Sequence, residues 1–104
     1  MMHKSIVETT DPEILSELGR RLRVLRKSRR LTIQAAAERA GLDRATVSRA
    51  EHGDNPTLLT VLRLLRVYGR LGALEAFIPE PEVSPMALIR EGGRGAQSGG
   101  DGNG

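Results

Sequence analysis

Two arginines and two hydroxyl-bearing residues lie close together in residues 43–51, where they could recognise a nucleic acid. The segment reads DRATVSRAE and is predicted to be a helix with Arg44, Thr46, Ser48 and Arg49 on its outer side. A short helix fits the major groove of DNA, and an arginine there can donate two hydrogen bonds to O6 and N7 of a guanine. These residue types at this spacing therefore suit a helix that lies in a DNA major groove.

A basic run lies just upstream of this helix. Seven basic residues and no acid occur between Gly19 and Arg30. A run of this kind, taken alone, is more typical of a solvated helix face than of a binding surface. Because a pair of short helices joined by a turn follows directly, the run could also meet DNA phosphates.

The elements that position these residues are predicted to be helices. Asp11 is expected to cap a first helix, with Pro12 in its first turn. Thr32 is expected to cap an alanine-rich second helix that ends at Gly41 in a left-handed conformation. The first helix carries an apolar stripe at spacings of three and four, which is typical of an amphipathic helix: Ile14, Leu15, Leu18, Leu22 and Leu25.

Three further helices follow in the prediction. Asp43 caps the third, which stops at Gly53, and Thr57 caps the fourth. The fourth helix is apolar on nearly all sides, so we expect it to be central to the core. A fifth helix covers about Leu71 to Ile78. The predicted fold is therefore all-α, with four to five helices.

The composition supports this assignment and excludes several classes of protein. Phe77 and Tyr68 are the only aromatic residues, and the apolar residues are otherwise mainly aliphatic, which favours helices over a sheet. The absence of cysteine rules out disulfides and thiolate metal sites and fits a reducing cytoplasm, where we expect the protein. The N-terminus lacks an apolar stretch, and no run of about 18 apolar residues exists, so neither a signal peptide nor a membrane span is expected.

The chain is expected to consist of one domain with flexible ends. Residues 1–10 are predicted to be a flexible arm, and residues 11–78 to be the folded domain. Residues 79–90 form a proline-containing arm suited to a dimer or partner contact, and residues 91–104 a disordered glycine-rich tail. The apolar residues near the end of the domain exceed what it can bury, which indicates a dimer or partner surface formed by Leu74, Phe77, Ile78, Met86, Leu88 and Ile89.

An enzymatic role is not expected. The two histidines are His3, in the predicted arm, and His52, at a helix end, and without cysteine they make no convincing metal set. Glu51, Asp54 and Asn55 lack the spacing of a calcium loop. We therefore predict no catalytic residue, no metal and no cofactor.

The segment AERAGLDRATVSRAEHG, with RLRVLRKSRRLT before it and NPTLLTVLRLL after it, resembles lambda-repressor-like, Cro-type (XRE family) helix-turn-helix proteins. The resemblance covers roughly Leu18 to Leu71. It implies a DNA-binding domain that acts as a two-fold dimer on a pseudo-palindromic operator. It also implies that the helix from Asp43 to Glu51 is the recognition helix, with base contacts from Arg44, Ala45, Ser48 and Arg49.

The resemblance implies further roles outside the base contacts. Arg26 and Glu51 match a pair that forms a structural ion pair in relatives. Family members usually carry Gln at the first turn of the second helix, where it bonds a phosphate, but this chain has Ile33 there and Gln34 next to it. We expect phosphate contacts from Gln34, Thr46, Asn55, Arg29 and Arg30.

Three functions remain as alternatives. The first is a sequence-specific transcriptional regulator, a dimeric repressor of its own operon, joined through the fifth helix and residues 78–90. The second is an antitoxin that represses its operon and also neutralises a HipA-type kinase, since small proteins of this kind resemble HipB-type antitoxins. The third is a non-catalytic interaction module that keeps the fold as a docking surface.

Overall fold

The computed structural model describes residues 8–82, and this part of the chain is all-helical. Five α-helices and no strand occur within it, which confirms the predicted fold class. In chain order the elements are α1 (Asp11–Ser28), α2 (Ile33–Ala40), α3 (Arg44–Glu51), α4 (Leu58–Val67), a 3-10 helix (Leu71–Ala73) and α5 (Leu74–Phe77).

The first helix begins with a reciprocal cap. The Thr10 hydroxyl accepts a hydrogen bond from the Glu13 backbone N–H, and the Glu13 carboxylate accepts one from the Thr10 N–H. The prediction that Asp11 is the cap is therefore wrong by one residue, because Asp11 already lies in the first turn. Its negative charge there, with that of Glu13, complements the positive end of the helix dipole.

The caps of the next helices match the sequence more closely. The Thr32 hydroxyl accepts from the Ala35 N–H and the Thr57 hydroxyl from the Thr60 N–H, as predicted. Asp43 does occupy the N-cap position of α3. Within residues 8–82, however, its side chain makes no capping hydrogen bond, so α3 begins without that stabilisation.

The core lies where α1 to α4 meet. Its largest fully buried side chains are Tyr68, Leu64 and Val47. Alanines fill the junction between α2 and α3, which allows these two short helices to approach closely. The buried apolar residues of the cluster are Leu22, Ala36, Ala37, Val47, Ala50, Leu64 and Tyr68.

Two predictions about the later helices need correction. The fourth helix is less enclosed than its sequence indicates, since Leu58 and Leu59 in its first turn are each 56% exposed. The fifth helix is not continuous from Leu71 to Ile78, because a 3-10 helix precedes a single α-helical turn. Gly72 within this stretch disfavours a regular helix.

The chain divides into two compact units, Met1–Leu74 and Glu75–Gly104. Residues 1–7 and 83–104 lie outside the described part. Most of the predicted N-terminal arm, most of the predicted proline-containing arm and all of the predicted glycine-rich tail therefore lie outside it as well. The domain boundaries at residues 10, 78 and 90 stay predictions. Within residues 8–82, no helix combines the length and the apolar character that crossing a membrane requires.

Candidate nucleic-acid interface

Helix α3 has a buried face and an exposed face. Val47 and Ala50 are buried, whereas Arg44, Ala45 and Arg49 are exposed. Because successive residues of an α-helix are about 100° apart, Ala45 and Arg49 lie on one outer line, opposite the core. Arg44 and Ser48 lie on one side of this line and Thr46 on the other. Ser48 and Thr46 are half-buried.

The two arginines of α3 are available for binding. Neither the Arg44 nor the Arg49 guanidinium makes a hydrogen bond or ion pair with any residue of the described range 8–82. Each guanidinium carries five N–H donors in a planar fork, a geometry that matches guanine edges and phosphates. The exposed face of α3 therefore presents unsatisfied donors and positive charge.

The buried face of α3 is tied to α1 by an ion pair. Arg26 donates from Nε to Glu51 Oε2 at 2.6 Å and from Nη2 to Glu51 Oε1 at 3.0 Å. The two side chains are only 8% and 4% exposed, and the hydrogen bond to Glu51 raises the pKa of Arg26. Arg26 also donates from Nη1 to the Leu31 carbonyl at 2.8 Å. Glu51 thus uses both carboxylate oxygens to hold the last turn of α3 against α1.

A close backbone approach accompanies this ion pair. Gly19 of α1 lies against the end of α3, and a Cβ at this position would come within 2.6 Å of the carbonyl oxygens of Ala50 and Glu51. Contacts that short are sterically forbidden. Glycine at position 19 is therefore required for α3 to sit this close to α1.

The turn between α2 and α3 is also fixed from several sides. Gly41 adopts φ 70° and ψ 35°, the left-handed conformation that its sequence position predicts. The Leu42 N–H donates to the Ala37 carbonyl at 2.9 Å. From α4, Arg63 Nη1 donates to the Gly41 carbonyl at 3.2 Å. The angle at which α3 leaves α2 is thereby held by glycine geometry and by a side chain from a third helix.

The residues predicted to contact phosphates lie on several elements. Gln34 is exposed in the first turn of α2, where its Nε2 donates to Glu38 Oε2 at 3.0 Å. Ile33 is half-buried and packs against the core. Asn55 is exposed in the loop before α4, with a left-handed φ of 46°. These residues lie before and after α3 in the sequence, and their side chains are not joined to one another by hydrogen bonds.

The basic run between Gly19 and Arg30 separates into two kinds of residue. Arg20 and Arg21 both pair with Glu17, at 2.9 and 2.8 Å, and these bonds lower the pKa of Glu17 to about 2. Arg29 donates from Nε to the Tyr68 carbonyl at 2.9 Å and so stabilises the end of α4. By contrast, three other cations have no partner among residues 8–82: Arg23, Lys27 and Arg30.

The predicted partner surface is described only in part. Phe77 is 58% exposed and Ile78 is 75% exposed, whereas Leu74 is half-buried. Met86, Leu88 and Ile89 lie outside the described residues. Phe77 and Ile78 are adjacent in the chain, so their exposed side chains lie at one end of the described residues.

Several structural residues escaped the sequence analysis. The Thr10–Glu13 cap had a readable signal, since threonine followed three residues later by glutamate is the capping-box pattern. The roles of Arg29 and Arg63 had no such signal, because their carbonyl partners lie 39 and 22 residues away in the chain. For the range 8–82, the structure contains no group of three or more His, Asp or Glu that could hold a metal ion.

The helix-turn-helix domain family model matches residues 17–77, more than half of the chain. The chain belongs to this helix-turn-helix family. The match covers the later part of α1, the whole α2–turn–α3 unit and α4, the elements whose contacts fix the exposed face of α3. Membership in the helix-turn-helix family supports a DNA-binding protein. No curated protein gives a significant match to the chain.

Proposed function

We propose that this helix-turn-helix protein is a sequence-specific transcriptional regulator that places α3 in the DNA major groove. The observation that carries the proposal is the two-sided character of α3. One side is fixed to α1 by the buried Arg26–Glu51 pair, while the other presents Arg44 and Arg49 without partners in the described chain. A rigid helix with free guanidiniums is suited to direct readout of bases.

The contacts divide by chemistry. Arg44 and Arg49 would select base pairs. Ala45 would offer a methyl contact to thymine, and Ser48 would lie one turn along the same face. Phosphate contacts would set register but carry no sequence information. In this proposal they come from polar side chains of α2, α3 and the loop before α4 and from the free cations of the basic run: Gln34, Thr46, Asn55, Arg30, Arg23 and Lys27. Arg29 is the weakest phosphate candidate, because its Nε is already bonded to the Tyr68 carbonyl.

We further propose that the protein acts as a homodimer on its own operator. The exposed Phe77 and Ile78 favour a protein contact at this end of the described chain. A two-fold dimer would place two copies of α3 in successive major grooves, about 34 Å apart, and would require a pseudo-palindromic site. Repression would follow if this site overlaps the promoter of the protein's own gene.

Fluorescence anisotropy tests the DNA-binding proposal. One labelled duplex carries the DNA immediately upstream of the protein's own gene, and the other carries the same base composition in shuffled order. At about 150 mM salt we expect the first to bind at least about a thousandfold more tightly. Equal and steeply salt-dependent binding to both would contradict sequence-specific regulation and favour an interaction module on a generic DNA anchor.

The exposed Phe77 and Ile78 also favour a second candidate, an antitoxin that binds a HipA-type kinase. In that case the apolar surface would bind the kinase as well as a second copy of the chain. Co-expression with a kinase encoded beside the gene, followed by gel filtration, separates the two functions. A stable complex that is lost in Phe77→Glu but kept in Arg49→Ala would support the antitoxin.

A further inference from the structure

His52 extends the exposed face of α3 beyond the residues considered so far. It follows the last helical residue and is exposed. Its N–H still bonds to the Ser48 and Arg49 carbonyls, so its backbone continues the helical path. Ala45, Arg49 and His52 therefore follow one another at spacings of four and three, which places all three on one line along the helix.

A hydrogen bond fixes which ring nitrogen of His52 carries the proton. Nδ1 lies 2.7 Å from the Ser48 carbonyl oxygen. A carbonyl oxygen can only accept, so Nδ1 must be the donor. In the neutral ring Nε2 then has a lone pair and no hydrogen, and it has no partner within the described part of the chain. In its neutral form, His52 thus presents an acceptor on the same face as the arginines, which can only donate.

DNA offers few groups that such an acceptor can bind. Phosphate oxygens only accept, and so do O6 and N7 of guanine and O4 of thymine. The donors in the major groove are the amino groups at N6 of adenine and N4 of cytosine. Each base pair carries one of these amino groups, and its position in the groove depends on which strand holds the adenine or cytosine.

We propose that His52 Nε2 accepts a hydrogen bond from an adenine or cytosine amino group, next to the base pair that Arg49 contacts. This inference rests on the proposed function, since it requires α3 to lie in the major groove. It assigns to His52 a two-fold degenerate readout. Adenine and cytosine on the strand that it reads are accepted, whereas guanine and thymine place an acceptor opposite Nε2. The arginines, by contrast, select guanine.

The test is a base-pair scan of the operator with matched variants. Every position is replaced by each of the four base pairs, and binding is measured for the wild-type protein, His52→Phe and Arg49→Ala. Phenylalanine keeps an aromatic ring at position 52 but removes the acceptor. Arg66→Ala, a change at an exposed arginine of α4, serves as the control for general charge loss. Circular dichroism verifies that each variant is folded.

We expect the wild-type protein to favour adenine and cytosine over guanine and thymine about three- to tenfold at one symmetric position, the range for one neutral hydrogen bond. His52→Phe should abolish this preference, and Arg49→Ala should keep it while losing selection at a neighbouring position. A uniform loss of affinity in His52→Phe, or no change, would overturn the assignment of His52 and leave the proposed function intact. If the wild-type protein and Arg49→Ala both bind all sequences equally, the proposed function itself fails.

Discussion

Two arginines at the end of α1 and two on α3 are used in opposite ways. Arg26, in the last turn of α1, and Arg29, directly after this helix, donate to a carboxylate and a backbone carbonyl of the protein. On α3, Arg44 and Arg49 donate to nothing in the described chain. The residue type is the same, and the difference lies in whether an acceptor from another helix is within reach. Whether an arginine has a partner within the protein is therefore set by the tertiary structure and not by the density of arginine in the sequence.

The largest expected effect comes from removing an arginine that is paired within the protein. Arg26→Ala should lower the free energy of unfolding by about 3–5 kcal/mol, because it leaves the Glu51 carboxylate buried without its partner. Urea unfolding monitored by circular dichroism measures this. Arg23→Ala, on the same helix but exposed and unpaired within residues 8–82, should change it by no more than about 0.5 kcal/mol. Equal losses in the two variants would mean that the pair does not hold α3.

The next prediction concerns an arginine of α3 that has no partner in the described chain. Arg49→Ala should leave stability unchanged but lower discrimination by about 1–3 kcal/mol at one or two symmetric base pairs. Anisotropy with single-base operator variants measures the effect, and Arg66→Ala provides the control. If affinity fell equally for all sequences, Arg49 would contact a phosphate rather than a base.

A smaller effect is expected beside the buried ion pair. The Tyr68 hydroxyl is buried and has no hydrogen-bond partner among residues 8–82. Tyr68→Phe removes this unsatisfied group and keeps the ring, so the free energy of unfolding should rise by about 1 kcal/mol. Thermal unfolding followed by circular dichroism tests this. A loss of stability would show that the hydroxyl is satisfied, for instance by a buried water.

The smallest effect concerns the exposed pairs of α1. Hydrogen bonds from Arg20 and Arg21 lower the pKa of Glu17 from 4.5 to about 2 in the folded protein. The pairs thus contribute stability above pH 4.5, and this contribution is lost as the pH falls toward 2. Because these hydrogen bonds lie at the solvent-exposed surface, the loss should be slight. The difference in unfolding free energy between the wild-type protein and Glu17→Gln should shrink over this range, and a constant difference would contradict the role of these pairs.

The sequence predicts the local features of the fold well. Thr32, Gly41 and Thr57 act through hydrogen bonds or backbone angles within a few residues, and all three behave as expected. Local information is ambiguous at the start of α1, where Thr10 and Asp11 are both good caps and the glutamate three residues after Thr10 decides between them. Element type and most helix ends are thus encoded nearby.

Features that depend on distant residues were harder to predict. The apolar character of α4 does not reveal that Leu58 and Leu59 face solvent, because the sequence does not say how much surface the other helices cover. In the candidate site, the pattern identifies α3 and its exposed arginines, but Thr46 and Ser48, which it also predicts on the outer side, are half-buried. It does not separate the bonded Arg29 from the free Arg30, since that distinction depends on where Tyr68 lies.

Tyr68 gives the protein a reporter of its own. The chain has one tyrosine and no tryptophan, so its near-ultraviolet signal comes almost entirely from a ring at the centre of the core. Burial raises the pKa of this phenol to about 12, from 10.0 in water. Ionisation of the phenol changes its ultraviolet absorption, so at a pH between these values the folded and unfolded chains differ in their near-ultraviolet spectra. Folding can thus be followed by ultraviolet absorption, without a label, at the buried residue that ends α4.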